Sequence, residues 1–234
     1  MSNTRSIESL EVLYEDNHIL AINKKPSDIV QGDKTGDMPL SEKAKQYIKE
    51  KYQKPGDVFM GVAHRIDRPV SGVILFAKTS KALERLNEMF QKKEIQKTYW
   101  AVVKNMPKTT SGRLEHYLRK NEQNNTSRAY EKEVAGSKRA ELEYTVIASS
   151  DRYHLLEINP LTGRHHQIRV QLSTIGCPIK GDLKYGFDRS NENGSIHLHA
   201  RKISLTHPVK KPPLEIVADP PNDPLWNAFM KSNG

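Results

Sequence analysis

The spacing of apolar residues along this chain changes several times, and each change marks an element. Val12–Tyr14 and Ile19–Asn23 flank the turn Glu15-Asp16-Asn17, and Lys24-Lys25-Pro26 closes the second run, which predicts two paired strands. Leu40–Gln53 reads as a polar helix stopped by Pro55-Gly56. Val58–Val62 and Val73–Ala77 read as strands, and the unbroken apolar character of the second predicts burial on both faces. Thr79–Lys93 has helical period, with Ala82, Leu83, Leu86, Met89 and Phe90 on one face and Lys81, Glu84, Arg85, Glu88 and Lys92 elsewhere. Thr98–Val103 is the next strand.

From Asn105 to Lys138 the pattern weakens. Arg113–Leu118 reads as a strand, and Asn121–Ser127, without an apolar residue, as a mobile tip. Ala140, Leu142, Tyr144 and Val146 alternate as a half-buried strand does, and Tyr153–Asn159 is its expected antiparallel partner. His165–Ile175 carries Ile168, Leu172 and Ile175 at helical spacing, and Gly176 stands where a helix end favours glycine. Ile196–Thr206 and Leu214–Ala218 are late strands, and Pro224–Lys231 is a short closing helix. This order predicts an α+β fold, a mixed and mostly antiparallel sheet with flanking helices. With no internal repeat and no Ser/Gly-rich linker, the expectation is an N-terminal extension over 1–10 and a single domain over 11–234.

Composition narrows the partner. Of 234 residues, 36% are hydrophobic and 28% charged, as in a soluble globular protein. Thirty-seven Lys and Arg against 28 Asp and Glu give +9, which favours a polyanion, nucleic acid before anionic membrane. Cys177 is the only cysteine, so neither an intramolecular disulfide nor a thiolate metal cluster is available and a reducing compartment fits. The first ten residues have no apolar signal core, and no apolar run reaches the length of a membrane span. The expected location is the cytoplasm.

One stretch concentrates chemistry: Gly61-Val-Ala-His-Arg-Ile-Asp-Arg-Pro-Val-Ser-Gly-Val-Ile-Leu-Phe-Ala77. A charged cluster, His64-Arg65-Ile66-Asp67-Arg68, lies between two strands, with Pro69 and Gly72 punctuating the connection. Asp67 is the only acid in a loop that also holds Arg65 and Arg68. A carboxylate so placed suits the role of nucleophile or base on an anionic substrate. Read alone, the same loop is more simply a surface segment with ordinary ion pairs.

The stretch does not stand alone. His64-Arg-Ile-Asp-Arg-Pro-Val-Ser-Gly72 resembles the catalytic signature of the RluA family of RNA pseudouridine synthases, with Ile66 in place of a commoner Leu and Val70 in place of a usual Thr. Further blocks match in the family's order: Val12–Pro26, Lys97-Thr-Tyr-Trp-Ala-Val-Val103, Gly163-Arg-His-His-Gln-Ile-Arg169, Gly176–Gly186 and Leu198–Pro208. The resemblance covers roughly 11–218 and implies the pseudouridine synthase fold with a central RNA-binding cleft. It also implies isomerisation of uridine in structured RNA, ribosomal or transfer, with no cofactor and no metal. Asp67 falls at the catalytic carboxylate and Arg169 at the basic residue that pairs with it. Tyr99 falls at a tyrosine lying against the target base, and Arg65 at a position associated with the space left by the extruded uridine. Arg68 is expected to contact RNA, and Arg164, His166 and Gln167 to divide between fold support and RNA contact. Arg119 and Lys120, beside the 121–127 tip, are either RNA-touching or part of a solvated insertion. Many relatives carry a further small RNA-binding domain ahead of the catalytic one, and none is expected here. The partner is an RNA stem-loop, with no membrane and no obligate protein partner.

Other classes fit less well. His64, His165-His166 and His197-Xaa-His199 suggest a metal hydrolase, but no His-Glu-Xaa-Xaa-His helix is present. No Gly-Xaa-Ser-Xaa-Gly elbow supports a serine hydrolase. The alternative is a non-catalytic RNA-binding module, which explains the charge but not Asp67 among arginines.

Overall fold

The unbroken apolar runs form strands buried on both faces. The structure, a computed structural model, describes residues 10–32 and 35–232, so the expected extension over 1–10 lies outside the described residues apart from Leu10. The chain forms two compact units, Met1–Ile95 with Ile203–Asp219 and Gln96–Lys202 with Pro220–Gly234.

In the first unit, β1 (Val12–Glu15), β2 (Ile19–Lys24) and β4 (Ser71–Ala77) pair antiparallel in that order, and β3 (Gly61–Val62) pairs with β4. Alternate residues of β2 and β4 enter two cores. Ile19, Ala21, Val73, Leu75 and Ala77 pack with Ala82, Leu86 and Met89 of helix α2 (Ser80–Gln91). Leu20, Ile22, Ile74 and Phe76 pack with Leu40, Ala44 and Ile48 of helix α1 (Leu40–Lys51). A helix therefore covers each face, which is why these strands read as continuous rather than alternating. Thr79 caps α2 by accepting from the Ala82 N–H at 3.2 Å, as Ser and Thr do at helix starts. The expected strand Val58–Val62 shrinks to Gly61–Val62, with Phe59 exposed. Gly61 lies close to α2, where a Cβ would come within 2.8 Å of the Leu83 side chain.

In the second unit, β5 (Gln96–Val103), β9 (His154–Pro160), β8 (Lys138–Ser149), β6 (Ser111–Asn121) and β7 (Thr126–Tyr130) follow one another antiparallel. The weakly patterned 105–138 stretch is thus the β6–β7 hairpin and its approaches. Helix α4 (Pro224–Ser232) lays Trp226 and Phe229 on Val102 and Leu155. Helix α3 (Gln167–Thr174) packs Val170 against Ala140 on the opposite face. It starts two residues later than its apolar period because His166 is left-handed at φ 53°. Strand β10 (Leu198–Thr206) gives Ile203 and Leu205 to the first unit's α2-side core, where Ile216 of β11 (Pro213–Val217) joins them. The architecture is α+β, with mostly antiparallel strands and helices on their faces.

Candidate active site

The Asp67 loop is tied down at both ends within the first unit. Ahead of it, Nε2 of His64 accepts the Leu75 N–H of β4 at 2.9 Å, and the ring lies 5.0 Å from Phe90. Behind it, the Val70 N–H donates to the Asp67 carbonyl at 3.0 Å and closes a turn through Arg68 and Pro69. The Arg68 carbonyl then accepts from the Ser27 N–H and from Nζ of Lys24, both at 3.0 Å. Gly72 follows at φ 116°, a conformation side chains rarely adopt, opposite Lys24 in the β2–β4 register. Between these anchors Ile66 packs on the α1-side core. Asp67 is half-buried; Arg65 and Arg68 are exposed, and Arg68 reaches Asp37 at 2.6 Å.

Lys24, which terminates a strand in sequence terms, is 1% exposed. Its Nζ donates to the carbonyls of Lys25 (2.9 Å) and Arg68 (3.0 Å). Burial pushes its pKa down to about 7, against the opposing pull of Asp28 and Asp67. This residue holds the loop from beneath.

The second unit carries Tyr99 and Arg169 on one face of its sheet. Tyr99 of β5 is half-buried in a cross-strand row with Ile158 of β9 and Tyr144 of β8. Arg169 projects from α3, 5% exposed, in a bidentate pair with Asp182: Nε to Oδ2 is 2.7 Å and the second nitrogen to Oδ1 is 2.8 Å. Its guanidinium also lies 5.1 Å from the Tyr185 ring. Asp182 and Tyr185 bracket a short 3-10 turn, Leu183–Tyr185. Gly181, at φ 88°, precedes it where a Cβ would strike Asn191 and the Ser195 carbonyl at 2.8 Å. The 176–186 block therefore builds the wall against which Arg169 is oriented.

The segment before α3 is held from within. The Ser127 N–H donates to the Tyr185 hydroxyl at 2.8 Å, and the same hydroxyl is hydrogen-bonded to Nδ1 of His166 at 2.8 Å. Burial, with Arg169 nearby, pushes the His166 pKa down to about 2, which favours the neutral imidazole. Gln167 accepts from the Thr162 hydroxyl (2.7 Å) and the Arg164 N–H (3.0 Å) and donates to the Glu141 carbonyl (2.9 Å). His166 and Gln167 are thus engaged by the fold, whereas Arg164 is exposed, its Nε donating to the Arg139 carbonyl at 2.9 Å.

Arg119 and Lys120 stand on β6 opposite Arg128 and Ser127. Both Arg119 and Arg128 lie over the Tyr130 ring, at 5.4 and 5.3 Å. The hairpin tip is attached rather than detached: His165 lies 2.9 Å from the Ser127 hydroxyl and 3.1 Å from Oδ1 of Asn125, and Lys184 donates to the Asn125 carbonyl at 3.3 Å. The histidines that suggested a metal site are engaged in such contacts, His197 with Asp223 at 3.0 Å among them. No group of three or more His, Cys, Asp or Glu among the described residues could hold a metal ion. None of the described helices is long and apolar enough to cross a membrane.

Comparison with known proteins agrees with the motifs. Residues 18–174 match the family described as RNA pseudouridylate synthase, and the chain belongs to that family. Ribosomal large subunit pseudouridine synthase C of Vibrio vulnificus is 34% identical over 213 residues, 88% of this chain and 64% of that protein. The protein of the same description from Escherichia coli O157:H7 is 33% identical over 231 residues, covering 94% and 69%. The tRNA pseudouridine synthase C of Salmonella typhi is 30% identical over 243 residues, covering 96% and 90%. The chain spans between 58% and 65% of the length of five such relatives. The solved structure of Human RNA Pseudouridylate Synthase Domain Containing 4 has a TM-score of 0.78 at 22% identity, over 95% of this chain and 92% of that one, and so shares the fold.

Proposed function

We propose that this protein is an RNA pseudouridine synthase acting on uridines in structured ribosomal or transfer RNA, in the cytoplasm, without a metal or organic cofactor. The observation that carries the reading is the Asp67 loop: a half-buried carboxylate, flanked by Arg65 and Arg68, on a backbone anchored at His64, Arg68 and Val70. A rigid, preset carboxylate is what attack at a sugar carbon requires.

The reaction breaks the bond from ribose carbon 1′ to uracil nitrogen 1, turns the base and joins carbon 5 in its place. Atoms and oxidation state are conserved, so no redox partner is consumed. Asp67 opens the reaction either by adding to carbon 1′ as uracilate leaves or by promoting elimination across the sugar, and it is regenerated at the end of both. Tyr99 lies against the base, Arg169 is the basic residue of the reaction centre, and Arg65 takes the space of the extruded uridine; these roles follow from the motif resemblance. Extrusion is needed because a stacked uridine hides its glycosidic bond. The +9 charge supports the polyanionic substrate.

Asp67→Asn tests the reading, because it removes the charge and keeps the size. The variant is expected to fold and bind RNA as the wild type does while forming no pseudouridine on total RNA from a deletion strain. Conversion within about tenfold of wild type overturns the assignment, since loss of a catalytic nucleophile costs far more.

A further inference from the structure

We propose that Lys97 binds a phosphate of the RNA substrate beside the nucleotide that Tyr99 receives, an inference that rests on the function proposed above. Lys97 is half-buried on β5. Other lysines so placed have partners: Lys24 has two carbonyls, Lys43 has Asp28, Lys78 has Glu15 and Lys180 has Asn191. Lys97 has no hydrogen bond or ion pair among the described residues. Burial alone lowers its pKa, with no neighbouring carboxylate to offset the loss of water. A half-desolvated ammonium without a counter-charge is costly in the free protein and gains from an anion.

Placement identifies the anion. Lys97 and Tyr99 alternate along β5 and so project from the same face, about 7 Å apart along the strand. Thr98 points the other way and bonds Asn159 at 3.0 Å. The face that Lys97 shares with Tyr99 also carries α3 and Arg169. Gly163 comes close to the ammonium: a Cβ added there would lie 3.6 Å from Nζ. A glycine there puts no side chain against that side of the ammonium. A base on Tyr99 brings its own backbone phosphates to within one nucleotide of Lys97, and a compact ammonium on a flexible stem suits a phosphate oxygen.

The test uses the full chain and an unmodified transcript of large-subunit ribosomal RNA, with affinity measured across a salt series. Lys97→Met keeps the stem and removes the charge; Lys97→Arg keeps the charge. Lys97→Met is expected to weaken binding about tenfold and to make the log–log salt slope shallower by about 0.7 to 0.9, one phosphate contact, while the melting temperature holds or rises. Lys97→Arg is expected to restore the slope. Wild-type affinity and slope in Lys97→Met overturn the inference, and so does equal loss in Lys97→Arg, which would show that packing rather than charge is at stake. Should Met at 97 impair folding, Lys97→Gln carries the same comparison. Binding is read without turnover, so the two proposals fail separately. Wild-type protein that makes no pseudouridine counts against the activity, whereas a converting wild type alongside a Lys97→Met variant that binds normally counts against the phosphate contact.

Discussion

Lys24→Met separates the two things that a buried lysine does beneath the Asp67 loop. Its ammonium is 1% exposed, and desolvation is the main reason its pKa falls from 10.5 to about 7, with Arg68 and Lys43 adding to the fall and Asp28 and Asp67 opposing it. In the unfolded chain the same group titrates near its ordinary value. Below pH 7 both states hold the proton, and the fold carries the full cost of the buried charge. Between pH 7 and about 10.5 the unfolded chain holds a proton that the folded one has released, so stability rises with pH through that window. From pH 6.5 to pH 9 the rise amounts to about 2.5 kcal/mol. Lys24→Met removes this titration while leaving the others in place. It also takes one donor from the Lys25 and Arg68 carbonyls, at about 1 kcal/mol each, although Arg68 keeps the Ser27 N–H. At a single pH the lost hydrogen bonds and the relieved charge oppose each other, so only the pH dependence decides.

Urea unfolding of the intact wild-type and Lys24→Met chains at pH 6.5 and pH 9 reads the difference. The variant is expected to lose ground against the wild type by about 2.5 kcal/mol over that range. Parallel stability curves would refute the argument, because they would mean that Lys24 does not change protonation between the folded and unfolded states. Anchoring of the loop should survive the titration. A neutral amine retains two N–H donors, which matches the two carbonyls it serves.

Two further outcomes are expected. Asp182→Ala leaves the buried Arg169 without its bidentate partner and should destabilise the chain by about 3–5 kcal/mol in urea unfolding, whereas the double variant Asp182→Ala/Arg169→Met should recover much of that loss; a single variant within about 1 kcal/mol of wild type would count against the pair's importance. Replacing Arg119 and Lys120 with Ala should weaken RNA binding and make the log–log salt slope shallower by about 1.5 if the β6–β7 hairpin touches RNA, and unchanged affinity and slope in a folded variant would make it a solvated insertion.

The elements with a strong period were legible in the sequence. Helix α2 fills the face drawn from Ala82, Leu86 and Met89, and β8 and β9 pair as alternation predicted. The candidate site was legible where its pattern is local: Asp67 lies between Arg65 and Arg68 in one loop, and Gly72 stands where the backbone needs φ 116°. The shortfalls share a cause, which is that tertiary contacts decide what a local pattern leaves open. Val58–Met60 is an apolar run that does not form a strand. His166 looks like the first turn of a helix, yet its ring bonds to Tyr185 and its backbone is left-handed.

Lys24 and Asp182 were the least visible, for a physical reason. Charged residues are rarely buried, so a lysine at a strand end and an aspartate after a glycine both read as surface positions. What makes burial tolerable is a partner from elsewhere: the Arg68 carbonyl 44 residues from Lys24, and the Arg169 guanidinium 13 residues from Asp182. The fold thus hides its charges next to the motifs that carry the proposed chemistry. Lys24 lies under the Asp67 loop and Asp182 beside Arg169, each fixing the backbone or side chain of a motif residue. A motif search registers the residue that faces the substrate, while the buried partner that sets its orientation needs the three-dimensional structure to be seen. Lys97 is the converse case: it lies within a motif, but its lack of a partner, which the sequence does not show, is what marks it as a ligand-facing group.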